Sequence, residues 1–450
     1  MRSKSNVDLT KGVIWKQLLL FVWPIILASV FEQVYNLTNA MIAGNLISTN
    51  ALSAISATSQ ITIIASYVFY GLSTACGILV SNYYGARDMR NVQRAVDTGL
   101  VVAVVGGILF TIAGQIFTPL LMKVSNVNRS LYVEAEKYLR VYLIGSAAVF
   151  IYNMSFFVMR SLGDSRHPLY FLMVSCVLNI LLGIVLVKVF DLGVIGIALA
   201  TVISQLVTDI LALRSLTSLD ENLTINILKL HPDKKMMSRM MTLGIPASFQ
   251  NILIAFSEMM IQSHVNLFPN EVIAGIGVAN KVAVWVRLPM QSITVILTNY
   301  VGQNLGAKEY ERVQKGIEIC NMIGAAITLV CCIVVFIAAK PFVSMFDKNP
   351  TVIEVGVAMT RYTIFSSIPL VYSHMYNGAC RASGNVRIPM LLSVLSQCIC
   401  RYLFVYIGMK LTFDIRVIYL SSLFGYTLSG IFATLYFRLS SYTREAHLRP

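Results

Sequence analysis

The chain contains 450 residues, of which 56% are hydrophobic and only 12% are charged, and its mean hydropathy is +0.72. Soluble domains carry about 25% charged residues, so this composition excludes a water-soluble globule and indicates an integral membrane protein. The formal net charge of +14 comes from basic residues dispersed over many short polar stretches, which argues against a nucleic-acid partner.

Twelve apolar windows follow one another along the chain, and each is long enough to cross a bilayer as a helix of about 20 residues. They lack the alternating pattern of membrane β-strands. The prediction is therefore an all-α integral membrane protein with twelve transmembrane helices. The windows are residues 14–44, 52–82, 95–121, 132–159, 168–190, 193–214, 240–267, 272–302, 316–340, 352–379, 388–411 and 416–438.

Most basic residues lie at the N-terminus, in the even-numbered connections and in the C-terminal tail. They include Arg2, Lys4, Lys229, Lys234 and Arg449. The positive-inside rule then predicts that both termini are cytoplasmic and that the chain is a multi-pass protein of the plasma membrane.

The two halves of the chain repeat one another. "RSLGDSRHP" at 160–168 matches "RASGNVRIP" at 381–389, and "NYYGARD" at 82–88 matches "QNLGAKE" at 303–309, both at an offset of 221. We predict a first lobe at 1–214, a cytoplasmic linker at 215–239 and a second lobe at 240–450. Parallel six-helix repeats of this kind are typical of transporters that bind substrate near the bilayer midplane.

Two predicted spans carry an acidic side chain near their middle. Glu32 shares one helix face with Asn36 and Asn39, and Glu258, with Gln262 one turn later, lies on the repeat-related span. Burial disfavours a charged carboxylate, so each acid is interpreted as a group that gains and loses a proton or binds a cation. The alternative is a structural hydrogen bond between helices.

Other charged residues fall inside predicted spans, where each costs at least about 2.5–3.5 kcal/mol. Lys281, Arg287 and Arg401 are candidates for binding a substrate or for pairing with the acids, or they reach the interface by snorkelling. Asp209 lies towards the cytoplasmic end of its span, where we expect a helix-end ion pair.

The motifs of common enzymes are missing. The chain has no GxxxxGK[ST] phosphate loop, no HExxH and no GxSxG, so neither ATP hydrolysis nor a bound cofactor is predicted. The eight cysteines show no CxxC spacing and are interpreted as packing residues. A transporter without ATP hydrolysis is driven by an ion gradient or by its substrate.

Several motifs together resemble the multidrug and toxic compound extrusion (MATE) family, in its prokaryotic branch. They are "YNLTNAMIAGNLISTNALSAI", "GLSTACGILVSNYYGARD", "RSLGDSRHP", "LGIPASFQN", "TNYVGQNLGAKEYERV" and "RASGNVRIP". The resemblance covers nearly the whole chain. It implies a V-shaped fold of two lobes and an antiporter in a prokaryotic inner membrane that exports organic cations and drugs in exchange for H⁺ or Na⁺.

The resemblance also implies site residues in the first lobe, and the chain departs from them in part. Asn39 and Gly183 stand where the family commonly has Asp, whereas Asn179 and Thr201 match polar positions of its cation site. We therefore expect either that Glu32 supplies the titratable group of this lobe or that Glu258, which matches a Glu of another branch, couples alone.

Three functions remain open at this stage. The first is a cation-coupled exporter of cationic or amphipathic compounds, with small molecules, H⁺ or Na⁺ and the bilayer as its only partners. The second is a lipid or lipid-linked oligosaccharide flippase, which Lys281, Arg287 and Arg401 favour. The third, a scaffold or receptor, fits the duplicated architecture poorly, and no obligate protein partner is indicated.

Overall fold

A computed structural model describes residues 8–124, 127, 129, 131–219 and 230–448, and these residues contain helices but no β-strand. The predictions for Arg2, Lys4, Lys229, Arg449 and the middle of the linker lie outside them. The first eight helices are α1 (Ile14–Ile42), α2 (Thr49–Gly85), α3 (Met89–Val124), α4 (Tyr132–Ile144), α5 (Ser146–Ser161), α6 (Arg166–Lys188), α7 (Gly193–Leu219) and α8 (Lys234–Val265).

The second half repeats this succession of long apolar helices. Its helices are α9 (Asn270–Gly306), α10 (Tyr310–Ile337), α11 (Ala339–Ser344), α12 (Pro350–Thr363), α13 (Ser367–Ala382), α14 (Arg387–Val394), α15 (Arg401–Thr412), α16 (Ile415–Leu439) and α17 (Ser441–Glu445). A π-helical turn, Leu395–Cys400, joins α14 to α15 into one continuous span.

Ten helical segments in the described part of the chain are long and apolar enough to cross a membrane, and α4 with α5 forms an eleventh, bent by 49°. The predicted window 352–379 corresponds to α12 and α13, which a 3₁₀ turn, Ile364–Ser366, separates. Both halves therefore break the same helix of the repeat. The all-helical fold in two repeated halves is confirmed, whereas the break in this helix was not predicted.

The helices pack into two compact units. Unit 1 comprises Trp23–Ser248 with Met1–Leu9, and unit 2 comprises Phe249–Pro450 with Thr10–Val22. The change of unit within α1 falls beside Pro24, and the change within α8 falls beside Pro246. A proline inside a helix removes one backbone hydrogen bond and favours a bend. Each of these helices therefore changes unit next to the turn in which this hydrogen bond is missing.

Close packing inside each unit involves small and aromatic residues. In unit 1, Phe69 stacks on Phe150 with ring centroids 4.6 Å apart and meets Phe110 edge-on at 5.1 Å. In unit 2, Gly316 lies against the fully buried ring of Tyr300 and leaves no room for a Cβ atom. Many large apolar side chains elsewhere are exposed, as expected for helices that face lipid.

The described end of the predicted linker is fixed to unit 1. The backbone N–H of His231 donates to Asp97 Oδ2 at 3.4 Å, and that of Asp233 donates to Thr98 Oγ1 at 3.0 Å. Asp233 in turn caps α8, since its Oδ1 accepts from the backbone N–H groups of Lys235 and Met236. These two bonds lower the pKa of the Asp233 carboxyl.

Candidate functional site

The predicted acidic face of α1 is only partly buried. Glu32 and Asn36 are exposed, whereas Asn39 is half-buried and its Oδ1 atom is fully buried without a hydrogen-bond partner. Glu32 interacts electrostatically with Arg160, near the end of α5. The helix face therefore carries one charged position and, two turns further on, one amide oxygen that lacks a donor.

Asn39 belongs to a cluster of polar groups that we call the unit 1 polar cluster: Tyr35, Asn39, Asn179 and Thr201. Asn179 Nδ2 donates to Thr201 Oγ1 at 3.4 Å, while Asn179 Oδ1 is buried without a partner. The Tyr35 hydroxyl lies close to Asn39 and Thr201 but forms no well-directed bond. The structure therefore brings together three of the predicted residues and adds Tyr35, which the sequence analysis missed.

Gly183, one turn beyond Asn179 on α6, leaves little room for a side chain. A Cβ atom there would lie 3.0 Å from Ile42 Cδ1, tighter than an ordinary van der Waals contact. A carboxylate at this position would require Ile42 to move. The packing beside the unit 1 polar cluster therefore fits the glycine at position 183 and not the Asp that the family commonly has there.

The environment of Asp209 on α7 differs most from the one predicted. Asp209 is only 5% exposed, and neither of its carboxylate oxygens has a hydrogen-bond partner. The expected helix-end ion pair is wrong, since no basic side chain of the described residues lies within 4.0 Å of it. The sequence distance of Asp209 from the helix end suggested a partner that the packing does not supply.

Tyr152 on α5 lies within electrostatic range of several of these groups: Glu32, Tyr35, Asp209 and Arg160. No hydrogen bond joins Asp209 to any of them. A buried carboxylate without a partner is unstable while charged, so Asp209 is a candidate for binding a proton or a small cation.

In unit 2 the predicted acid is paired. Arg401 Nη1 contacts Glu258 Oε1 at 2.5 Å, and the two side chains are 6% and 46% exposed, respectively. Arg401 Nη2 donates to Ser422 Oγ at 3.1 Å, and the guanidinium lies over the Tyr426 ring, 5.4 Å from its centroid. The structure therefore favours the pairing role for Arg401 that the sequence left as one alternative.

Arg287 completes this group. Its Nη1 donates to the Tyr426 hydroxyl at 3.3 Å and its Nε to the carbonyl of Ala283 at 3.4 Å, and its charge acts on Glu258. We call Glu258, Arg287, Arg401 and Tyr426 the unit 2 arginine site. Tyr426 carries no sequence signal of its own, because only tertiary packing places its hydroxyl beside Arg287.

Two other candidates lie apart from this site. The Lys281 ammonium is positioned over the Phe346 ring, 5.7 Å from its centroid. Gln262 is exposed near the end of α8 and donates to Asn266 at 2.9 Å. Neither residue contacts the unit 2 arginine site.

A second polar network in unit 2 is internally satisfied. Ser373 and Ser429 hydroxyls lie 2.7 Å apart, Gln397 Nε2 donates to Ser429 at 3.0 Å, and Asn377 Nδ2 donates to Ser393 at 2.9 Å. Buried polar groups joined in this way stabilise helix packing. Among the described residues, no group of three or more His, Cys, Asp or Glu side chains is placed to hold a metal ion.

A multi-pass helical protein built from two repeated halves, with charged groups buried deep in its spans and no enzyme motif, belongs to the class of membrane transporters. The MatE family profile matches this chain twice, over residues 24–185 and 246–407. The chain belongs to the MatE family and is not an enzyme. The double match also confirms the internal repeat.

Individual relatives agree with this assignment. The chain is 26% identical to "Probable multidrug resistance protein YoeA" of Bacillus subtilis, over 86% of this chain and 85% of the relative. It is 22% identical to "Multidrug export protein MepA" of Staphylococcus aureus, over 89% and 88%. A solved outward-facing multidrug resistance MATE family transporter shares the fold, with a TM-score of 0.91, 18% identity and coverage of 99% and 100%.

Proposed function

We propose that the chain is a cation-coupled antiporter that exports organic compounds, cationic or amphipathic, by alternating access, with H⁺ or Na⁺ as the coupling ion. The observation that carries this proposal is Asp209, a buried carboxylate without a hydrogen-bond partner, on the same helix α7 as Thr201 of the unit 1 polar cluster. Two relatives named above, a probable multidrug resistance protein and a multidrug export protein, support export as the direction of transport.

Asp209 and Glu32 divide the coupling role. An isolated carboxylate buried in apolar surroundings is unstable while charged, so Asp209 binds a cation or a proton. Glu32 is exposed and interacts with Arg160, and it is the group through which the cation enters. Asn39, Asn179 and Thr201 supply neutral oxygens that a cation contacts but that cannot themselves be titrated.

The test is efflux of a cationic dye, rhodamine 6G, from proteoliposomes under an imposed pH or Na⁺ gradient. Asp209→Asn is expected to abolish the gradient dependence, and Glu32→Gln is expected to reduce it. Asp191→Asn is the matched control, because it makes the same change at an exposed loop position of unit 1. Gradient-driven efflux that survives both Asp209→Asn and Glu32→Gln at wild-type rates would disprove the coupling proposal.

A lipid-linked oligosaccharide flippase is the second candidate, and the unit 2 arginine site favours it, because pyrophosphate-linked lipids are anionic. The same proteoliposomes separate the two functions. Translocation of a lipid-linked sugar without gradient-driven dye efflux would replace the exporter by the flippase.

The orientation and the lobe boundaries follow from the sequence alone. We propose that both termini are cytoplasmic, in a prokaryotic inner membrane, with lobes at 1–214 and 240–450 joined by the linker at 215–239. Single-cysteine labelling with a membrane-impermeant thiol reagent, on a cysteine-free background, tests the orientation. Labelling of a cysteine at Asp191 but not of one at Arg239 in intact cells is the expected result.

A further inference from the structure

We propose that the unit 2 arginine site binds the anionic group, a carboxylate, phosphate or sulfonate, of a transported amphipathic compound, and that Arg287 is the residue that contacts it. This inference rests on the proposed function as an exporter and adds a charge preference to it. The inference depends on three properties of the unit 2 arginine site: its depth in the membrane, its charge balance and its unused hydrogen-bond donors.

The depth of the site is fixed by three helices. Arg287 in α9, Arg401 in the α14–α15 span and Tyr426 in α16 each have at least about 15 Å of helix on both sides, at 1.5 Å per residue. The hydrocarbon core is about 30 Å thick. The contact of Arg287 with Tyr426 therefore holds its charge near the middle of the membrane, away from either interface.

The charges of the site do not balance. Glu258 offsets one guanidinium by its contact with Arg401, and no carboxylate of the described residues lies within 4.0 Å of Arg287. A charge at the bilayer centre costs at least about 2.5–3.5 kcal/mol and is retained where it serves a partner or a ligand. One positive charge is therefore left for an anion from outside the protein.

The site also has hydrogen-bonding capacity to spare. Arg401 Nε is buried without a partner, and Arg287 uses Nε and Nη1 on a neutral carbonyl and a hydroxyl. Arg287 is half-buried and Glu258 is exposed, so a ligand reaches the site from the Glu258 side. A planar guanidinium suits a two-oxygen anion, and the π-helical turn Leu395–Cys400 before Arg401 is a feature frequent at functional sites.

A phospholipid of the surrounding bilayer is not the expected source of this anion. Its phosphate lies at the interface, about 15 Å from the midplane, whereas the arginine site lies at the midplane. The anion therefore belongs to a compound that moves through the protein.

The test compares two dyes built on the same xanthene ring, anionic fluorescein and cationic rhodamine 6G, by fluorescence polarisation with full-length protein in phosphatidylcholine nanodiscs. Arg287→Gln is expected to weaken fluorescein binding at least tenfold and to change rhodamine binding less than threefold. Lys281→Gln, which removes the same charge from the same helix beside Phe346, is expected to leave both affinities unchanged.

Two further variants guard against misfolding of Arg287→Gln. Arg287→Lys keeps the charge but loses the planar fork, and Tyr426→Phe removes the hydroxyl that holds Arg287; both are expected to weaken fluorescein binding two- to fivefold. The proposal is overturned if wild type fails to bind fluorescein, if both dyes lose affinity equally, or if Lys281→Gln matches Arg287→Gln.

Two controls distinguish this inference from binding of a lipid headgroup and from the coupling proposal. Phosphatidylglycerol added to the nanodiscs is expected not to displace fluorescein; displacement would assign the site to a lipid headgroup and overturn the proposal. Binding is measured without a gradient, so Arg287-dependent fluorescein binding stands even if gradient-driven efflux fails. Loss of that binding likewise leaves the coupling proposal intact.

Discussion

The ion pair between Glu258 and Arg401 should make a large and unequal contribution to stability. Glu258→Gln removes the negative charge beside the Arg401 guanidinium, which is 6% exposed and keeps its contacts with Ser422 and the Tyr426 ring. Breaking a buried pair from one side costs about 3–5 kcal/mol, so about 3 kcal/mol is expected. Arg401→Met leaves an acid that is 46% exposed, and solvent access lowers the expected cost to about 1–2 kcal/mol.

The double variant, Glu258→Gln with Arg401→Met, shows whether this stabilisation comes from the interaction between the two side chains or from each side chain alone. With both charges removed, no orphaned charge remains, and the double variant should be more stable than Glu258→Gln, with a coupling energy of about 1–3 kcal/mol. The assay is unfolding in detergent followed by tryptophan fluorescence. Additivity of the two single effects within about 0.5 kcal/mol would refute the reasoning.

Three further predictions address the fold. Gly316→Val forces the buried ring of Tyr300 to move and should cost about 1–3 kcal/mol by overpacking; Gly277→Ala, in open space, is the control and should be neutral or slightly stabilising in the same unfolding assay. Asp164→Ala removes a buried carboxylate that accepts two backbone N–H groups at the start of α6, each at 3.1 Å. It should cost about 1–2 kcal/mol, and an unchanged midpoint would contradict the capping role. For Asp233, whose pKa is lowered on folding, the stabilisation is present above its unfolded pKa of about 3.9 and is lost as the pH falls through the lower folded value. The difference in melting temperature between wild type and Asp233→Asn should therefore shrink below about pH 4, and a difference that persists into acid would contradict it.

The helices and the repeat were predictable because they depend on local patterns. Apolar windows define the spans, and glycine and proline landmarks such as those around Gly163 and Gly384, both at positive φ, mark equivalent turns in the two halves. The break between α12 and α13 was missed because the window 352–379 is long and largely apolar, and its polar residues at the break, Ser366 and Ser367, do not interrupt the hydropathy pattern.

The sequence predicted many of the residues that form the candidate sites, but it did not predict which of them contact one another. Sequence placed Glu258 and Arg401 in different spans, 143 positions apart, and only packing brings them together. For Asp209, its place in the helix suggested an ion pair, yet neighbouring helices supply none. Hydropathy reports which charges enter the membrane; it carries no information about which of them meet.

Among the charged groups discussed above, acids outnumber bases in unit 1, and bases outnumber acids in unit 2. Unit 1 has two acids, Glu32, which interacts with Arg160, and the unpaired Asp209, whereas unit 2 has one acid, Glu258, beside two arginines. This asymmetry is not inherited from the repeat.

At the repeat offset of 221, Arg287 corresponds to Ser66 and Asp209 to Gly430. The fold of each half is therefore built without a charge where the other half has one. Because each mid-membrane charge costs at least about 2.5–3.5 kcal/mol, we infer that each of these two charges is retained for a ligand. We therefore propose that the two halves of the duplicated bundle have different tasks, cation exchange at Asp209 in the first half and recognition of an anionic group at Arg287 in the second.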